Sequence, residues 1–234
     1  IFLTKSGYVK RVDPGEFRTQ NRGGVGVQGM KTKEDDDIKI LRHSRTKTDV
    51  LFFTNFGRVY HARGYQIQEG SRTSKGIPIV NLLKLQPKEE VNAIISMDDY
   101  SEGHYLFFAT KKGVVKRCDA KDFENINCNG KIAISLREGD ALLDVRPTDG
   151  KAIISLGSSG GKVCSFYESD VRPMGRTASG VKGIDLPEEE EVVGLVSSLD
   201  GTKIFSLSEN GYGKITDGTE YRITFRGSKG VKTI

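Results

Sequence analysis

Lysine and arginine recur at matching positions along this chain, and neutralising phosphate is the chemistry that they share. One set follows a series of glycines and comprises Lys10, Arg11, Arg58, Arg63, Lys116, Arg117, Lys162 and Lys214. A second set surrounds another series of glycines and comprises Arg22, Arg72, Lys75, Lys131, Arg176, Lys182, Arg226, Lys229 and Lys232. Each phosphate that a cation neutralises releases counterions and adds affinity without regard to base sequence. The pattern therefore predicts binding to the backbone of a polyanion rather than to base edges.

Other residue patterns that could carry chemistry lack the context they need. Gly24–Gly29 fits the spaced glycines of a dinucleotide loop, and Gly157–Gly161 fits a nucleophile elbow. Both motifs require a strand followed by a helix, which the surrounding sequence does not predict. The cysteines Cys118, Cys128 and Cys164 are not spaced as metal ligands. We therefore expect no catalytic residue, no metal and no cofactor in this chain.

Composition favours a soluble domain with many tight turns. The 234 residues include 28 glycines but only 6 prolines, and 36% are hydrophobic. No apolar run is long enough to span a bilayer and no secretory leader is visible, so we expect a cytoplasmic protein without a membrane partner. The net charge is +5, and acidic residues cluster at 34–37 and 188–191. The remaining surface is therefore distinctly basic, as a polyanion-binding face requires.

Two glycine markers repeat with a period of about 50 residues. The first series, each preceded by an apolar run, is Gly7, Gly57, Gly113, Gly161 and Gly211. The second series, each followed by an apolar strand, is Gly26, Gly76, Gly130, Gly180 and Gly230. The spacings are 50, 56, 48 and 50 residues in the first series and 50, 54, 50 and 50 in the second. Two independent markers with one period indicate five structural repeats.

Each repeat has the pattern of a small antiparallel sheet. Apolar runs of four to six residues, rich in Val, Ile, Phe and Thr, end at Gly or Asn turns. We predict an all-β domain of four-stranded blades stacked radially or in a spiral, with repeats at 1–47, 48–103, 104–150, 151–200 and 201–234. Equivalent positions would then fall on equivalent surfaces, so the repeated cations would form a basic belt. A propeller-like protein-interaction scaffold is the alternative, and it predicts an apolar patch on one face.

The residues 20–26 carry a resemblance to a known family. Gln20, Arg22, Gly23, Gly24 and Gly26 match five of the seven positions of a box motif that is found in the C-terminal domains of bacterial DNA gyrase A subunits, while Asn21 and Val25 replace its variable basic positions. The segments 71–83 and 175–183 also resemble the second and fourth blades of that family. The related alternative is the C-terminal domain of a topoisomerase IV A subunit.

This resemblance implies a fold and a role. The fold would be a β-pinwheel, a propeller-like disc or spiral in which neighbouring blades exchange strands, usually with six blades where five are visible here. The domain would wrap double-stranded DNA around its rim and present it to the type IIA topoisomerase core for negative supercoiling. Its partners would be DNA, the rest of the A subunit, and the B subunit in an A2B2 holoenzyme, in which ATP and Mg²⁺ act outside this domain. The resemblance also implies a bacterial protein associated with the nucleoid. The expected DNA-binding residues are the five matching box residues and the repeated cations other than Lys162 and Lys232.

Overall fold

Short antiparallel strands form most of the regular secondary structure of this chain. The computed structural model describes residues 1–17, 19–26, 29–30, 36–127 and 129–234. Within these ranges the remaining regular elements are short 3₁₀ segments, and no α-helix occurs. The all-β prediction is therefore confirmed. The strands are β1 Phe2–Thr4, β2 Tyr8–Lys10, β3 Ile38–Leu41, β4 Asp49–Thr54, β5 Arg58–Arg63, β6 Ile77–Pro78, β7 Val91–Met97, β8 Tyr105–Thr110, β9 Val114–Asp119, β10 Lys131–Ile132, β11 Leu142–Thr148, β12 Ile153–Ser158, β13 Lys162–Tyr167, β14 Val181–Lys182, β15 Val192–Ser197, β16 Lys203–Leu207, β17 Gly213–Asp217 and β18 Val231–Lys232.

Four sheets of four strands share one topology. Their strand orders are β3-β1-β2-β6, β10-β5-β4-β7, β11-β8-β9-β14 and β15-β12-β13-β18. In each sheet a hairpin and a third strand come from one repeat, whereas the fourth strand comes from the next repeat. The two-residue strand β6, for example, pairs Ile77 with Val9. Neighbouring blades therefore exchange strands.

The exchanged strands lie on the outside of the array. At the opposite edges of their sheets, β11 contacts both β7 and β15. Those edges consequently converge towards the centre, and the edges that carry β6, β10, β14 and β18 diverge. The turns that lead into the exchanged strands form the periphery, which we call the rim.

The hydrophobic core consists of separate layers between successive sheets. One layer joins the second and third sheets, where the rings of Phe53 and Phe108 meet edge to face at 5.5 Å. Another joins the third and fourth sheets and includes Phe107 and Phe166, 6.2 Å apart. Since each sheet buries a face against its neighbour, a single repeat could not bury its own apolar residues.

The fifth repeat differs from the expected four-stranded blade. Its hairpin, β16 and β17, forms a sheet of two strands among the described residues. Its last strand, β18, completes the fourth sheet because strand exchange assigns each final strand to the preceding blade. Phe205 and Ile215 on this hairpin are 62% and 65% exposed.

Both glycine series occupy turns that require positive φ. All ten recurring glycines have φ between 72° and 90°, a region that glycine adopts without steric cost. A Cβ on Gly57 would also lie 2.5 Å from the carbonyl oxygen of Ile134, and one on Gly230 would lie 2.7 Å from that of Val163. The period in the sequence therefore marks backbone conformation and close approach of neighbouring repeats.

Candidate nucleic-acid interface

The second glycine of each repeat ends a six-residue segment that we call a rim turn, at 21–26, 71–76, 125–130, 175–180 and 225–230. Three rim turns begin with the same β-turn: Gly24, Ser74 and Ala178 each donate their N–H to the carbonyl three residues earlier, at 3.0, 3.1 and 3.1 Å. The second residue of each β-turn is an arginine. These residues are Arg22, Arg72 and Arg176, and Arg226 is the equivalent residue of the fifth repeat.

The rim turns at 71–76 and 175–180 are fixed to the blade that precedes them. Gly76 lies against the carbonyl of Val9, and Gly180 lies against the carbonyl of Val115, so closely that a Cβ would overlap the oxygen. The exchanged strands that follow, β6 and β14, then pair with β2 and β9. Each of these two turns is therefore held by two different repeats and presents its arginine at the outer edge of a sheet.

Two lysines that were predicted to line the rim are buried beneath it instead. Lys10 and Lys116 are both 0% exposed. The Nζ atom of Lys10 donates to the carbonyl oxygens of Ser71, Arg72 and Ser74 at 3.0, 2.7 and 2.9 Å. Burial lowers the pKa of this ammonium, and the charge of Glu16 opposes the shift. Lys10 therefore cannot contact a phosphate directly.

Lys116 makes the same arrangement two blades further along. Its Nζ donates to the carbonyls of Gly175 and Arg176 at 3.1 and 2.6 Å and of Ala178 at 3.3 Å, and also to Ala133 at 2.5 Å. Burial is again the main cause that lowers the pKa of the ammonium. The alternation of buried and exposed residues in a strand did not predict the burial of these two lysines, because lysine is almost never fully buried unless it is paired.

The arginines that follow these lysines also serve the fold. Arg117 is 7% exposed, stacks at 4.7 Å on the ring of Tyr105, and lies 3.7 Å from the buried carboxylate of Glu168. The prediction that Arg117 faces the rim is therefore wrong. Arg11 is half-buried; its Nε donates to the carbonyl of Ile67 at 2.9 Å, and its guanidinium pairs with Glu69 at 2.6 Å.

Several predicted cations remain accessible but hold partners within the protein. Arg58 donates to the carbonyl of Asn129 at 3.0 Å, and Arg63 pairs with Asp49 at 2.8 Å. The remaining such contacts join Lys75 to the ring of Tyr8, Lys131 to the carbonyl of Asn125, Lys182 to Asp185, Arg176 to the carbonyl of Ile132, and Arg226 to the carbonyls of Asp170 and Lys182. The exposed cations also include Arg22, Lys214, Lys229 and Lys232, and Lys162 is half-buried.

The third rim turn interrupts the basic belt. Ile126 takes the place of the arginine and is buried against the core, at 8% exposure. Asn125, Asn127 and Asn129 complete a segment without charge, in which Cys128 lies outside the described residues. Sequence reasoning placed Lys131 here and missed this neutral interval, although the alignment of the repeats on their glycines reveals it.

The box residues form a compact turn of their own. The side chain of Gln20 accepts the N–H of Gly26 at 2.8 Å. Gly23 and Gly26 have φ of 86° and 79°, and a Cβ on either would meet no atom within 4 Å. Gly23 and Gly26 are thus required by backbone conformation, while the exposed Arg22 offers its guanidinium to solvent.

The alternative sites weighed from sequence acquire no support from geometry. Gly157–Gly161 belongs to the hairpin between β12 and β13, not to a strand-to-helix turn. Among the described residues, no three His, Cys, Asp or Glu side chains are grouped to hold a metal. Within the same residues, no helix is long and apolar enough to cross a membrane.

Comparison with known sequences points to one family. The model of the DNA gyrase C-terminal domain, beta-propeller, matches residues 1–42, 48–96, 104–149, 153–198 and 202–234. The DNA gyrase A subunit of Ureaplasma parvum is 47% identical over 234 residues, covering 100% of this chain and 28% of the relative. That of Staphylococcus aureus strain NCTC 8325 is 50% identical over 238 residues, covering 100% and 27%. The chain thus spans little more than a quarter of these relatives.

Solved structures have the same fold. A DNA gyrase A C-terminal domain superposes with a TM-score of 0.80 and 27% identity, covering 98% of this chain and 74% of that one. The C-terminal domain of a DNA topoisomerase IV superposes with a TM-score of 0.79 and 28% identity, covering 99% and 71%. The repeated sheets, the exchanged strands and the sequence matches agree, and this chain belongs to the family of DNA gyrase A C-terminal β-pinwheel domains.

Proposed function

We propose that this domain binds duplex DNA along its rim without reading sequence, bends it, and delivers it to the core of a type II topoisomerase. The observation that carries the proposal is the recurrence of one β-turn with an arginine at its second position, in Arg22, Arg72 and Arg176. Contacts from guanidinium groups and turn amides position a duplex through its phosphates. Repetition along the array of blades supplies such contacts around a curve.

Curvature sets the number of contacts that the rim must supply. Bending 20–30 base pairs by 40–90° costs about 1–6 kcal/mol. Several rim turns would share that cost, since hydrogen bonds to charged groups contribute roughly 1.5–3 kcal/mol each. The neutral third turn would divide the contacts into two arcs, one formed by the first and second rim turns and one by the fourth and fifth.

The whole protein would be the A subunit of a DNA gyrase, of which this chain is one domain. The relatives described above are DNA gyrase A subunits with 47% and 50% identity, which favours gyrase over topoisomerase IV despite the similar superpositions. We assign strand cleavage, ATP and Mg²⁺ to the remainder of an A2B2 assembly, and no cofactor to this domain.

The test is topological. Nicked circular DNA is ligated in the presence of the full-length A subunit in complex with its B subunit, and the linking number is read. We expect a handed shift that grows with protein concentration and declines as salt rises. The variant Arg72→Ala/Arg176→Ala would reduce both the shift and the salt dependence. Binding that is absent even at low salt would overturn the proposal and favour a protein-interaction scaffold.

A further inference from the structure

The buried lysines determine which way two rim turns face. Lys10 donates hydrogen bonds to the carbonyls of Ser71, Arg72 and Ser74. Lys116 donates to those of Gly175, Arg176 and Ala178. The described chain contains no cis peptide. In a trans peptide the N–H of the next residue points opposite to the carbonyl. The amides of Arg72, Thr73 and Lys75, and of Arg176, Thr177 and Ser179, therefore point away from the ammonium groups.

These outward amides lack protein acceptors, with one informative exception. Within the described residues, no hydrogen bond uses the N–H of Thr73 or Lys75, or of Arg176, Thr177 or Ser179. The exception is the N–H of Arg72, which donates to the Glu16 carboxylate at 2.8 Å. A carboxylate oxygen thus already occupies one of these amides. Successive N–H groups that converge in a turn form an anion-binding concavity.

The charge beneath each turn favours the same ligand. Both ammonium groups are excluded from water. In the protein interior a charge acts more strongly on its neighbours than it does at the surface. Arg72 and Lys75 flank the first concavity, and Arg176 flanks the second. Outward amides, flanking cations and a buried cation all favour an oxyanion over a neutral ligand.

We propose that the rim turns at 71–76 and 175–180 are phosphate sites built from backbone amides, and that Lys10 and Lys116 are the residues that position them. The ligand is a phosphodiester oxyanion of the bound duplex, so the inference rests on the proposed function. The lysines do not touch the phosphate. They hold the carbonyls inwards and thereby turn the amides outwards.

The second blade provides a natural control. Tyr60 occupies the position that corresponds to Lys10 and Lys116, and its hydroxyl donates to Glu89 at 2.9 Å rather than to a rim turn. The rim turn over it, at 125–130, also lacks the arginine. Tyr60→Phe therefore changes the equivalent buried polar group without altering an amide site.

The test is hydrogen exchange of the full-length A subunit, measured by mass spectrometry with and without a 40-base-pair duplex, for wild type, Lys10→Met, Lys116→Met and Tyr60→Phe. In wild type we expect the duplex to slow exchange in peptides covering 71–76 and 175–180. Lys10→Met would remove protection at 71–76 alone, Lys116→Met would remove it at 175–180 alone, and Tyr60→Phe would remove neither. Each lysine variant would bind the duplex about tenfold more weakly, with a salt slope lower by about one.

The outcomes separate this inference from the proposed function. If no duplex binds, the proposed function fails. If the duplex binds but the two turns gain no protection in wild type, the amide sites are wrong even when a lysine variant cannot fold. If both turns are protected and folded lysine variants retain that protection, the amides do not depend on the lysines and the positioning role is overturned. Loss at both turns from one variant would indicate general loosening and would also overturn it.

Discussion

The ammonium of Lys10 lies 2.7 Å from the carbonyl oxygen of Arg72, although 62 residues separate the two along the chain. Lys10 contributes a buried charge beneath the rim turn, and Arg72 carries the half-buried guanidinium of that turn. The contact joins a strand of the first repeat to the rim turn of the second. Fold and candidate function therefore share one hydrogen-bond network.

Replacing this buried lysine should destabilise the domain. Lys10→Met removes the one donor that three part-buried carbonyls share, and we expect the free energy of unfolding to fall by about 1–3 kcal/mol. Urea unfolding of the 234-residue chain measures the change. Lys214→Met is the matched control, because Lys214 holds the same repeat position but is exposed, and it should change stability by less than about 0.5 kcal/mol. Equal effects would contradict the role assigned to the Lys10 network.

The neutral interval of the rim should be convertible into a binding turn. Asn129 precedes the recurring glycine of the third repeat, where Lys75 and Lys229 stand in the second and fifth. Asn129→Lys should tighten duplex binding by the full-length protein and steepen its salt dependence by about one unit of slope. Asn129→Ser, which copies Ser179 of the fourth repeat, should leave the slope unchanged. A lysine variant that binds with the wild-type slope would place the DNA path away from this turn.

The glycine of a rim turn should resist any side chain. Gly180 has φ of 90°, and a Cβ would overlap the carbonyl oxygen of Val115. Gly180→Ala should therefore lower the free energy of unfolding by more than about 1 kcal/mol. Gly194→Ala is its control, since a Cβ at Gly194 meets no atom within 4 Å. Thermal melting of both variants compares them, and a neutral Gly180→Ala would mean that the turn can relax.

The stability of the domain should depend on one thiol at alkaline pH. Burial raises the pKa of Cys118 from 9.0 to about 11. Between these values the unfolded chain loses the proton that the folded chain keeps, so the free energy of unfolding falls as pH rises. The difference in unfolding free energy between wild type and Cys118→Ala should therefore shrink by about 1–2 kcal/mol from about pH 8.5 to about 10.5. Urea unfolding at both pH values tests it, and a constant difference would show that the thiol titrates normally.

Glycine spacing predicted the repeats because positive φ and close approach leave no choice of residue. Gly76 and Gly180 show both constraints. Apolar runs such as 51–54 and 106–109 likewise predicted strands. Which sheet a strand joins could not be inferred, since two-residue strands such as β6 carry no pattern of their own. Strand exchange was expected only from the resemblance to the gyrase family.

The cations were harder to place than the turns. Lys10 and Lys214 share a repeat position, yet one is buried and the other exposed, because a rim turn covers only the first among the described residues. The exposure of a charged residue at a repeated position therefore depends on what packs over it, and composition does not reveal that. Repetition identified Arg72 and Arg176 as rim residues, and it misplaced Lys116 by the same reasoning.

Strand exchange also bears on how such arrays change in length. Each joint between repeats has the same form, a two-residue strand from the later repeat paired with the hairpin of the earlier one, as Val231 pairs with Val163. Removing a whole repeat would bring an equivalent donor strand to an equivalent acceptor edge. Losing half a repeat would leave an acceptor without its donor and expose the edge of a sheet. Evolution of this domain should therefore proceed by gain or loss of complete repeats, with the joints unchanged.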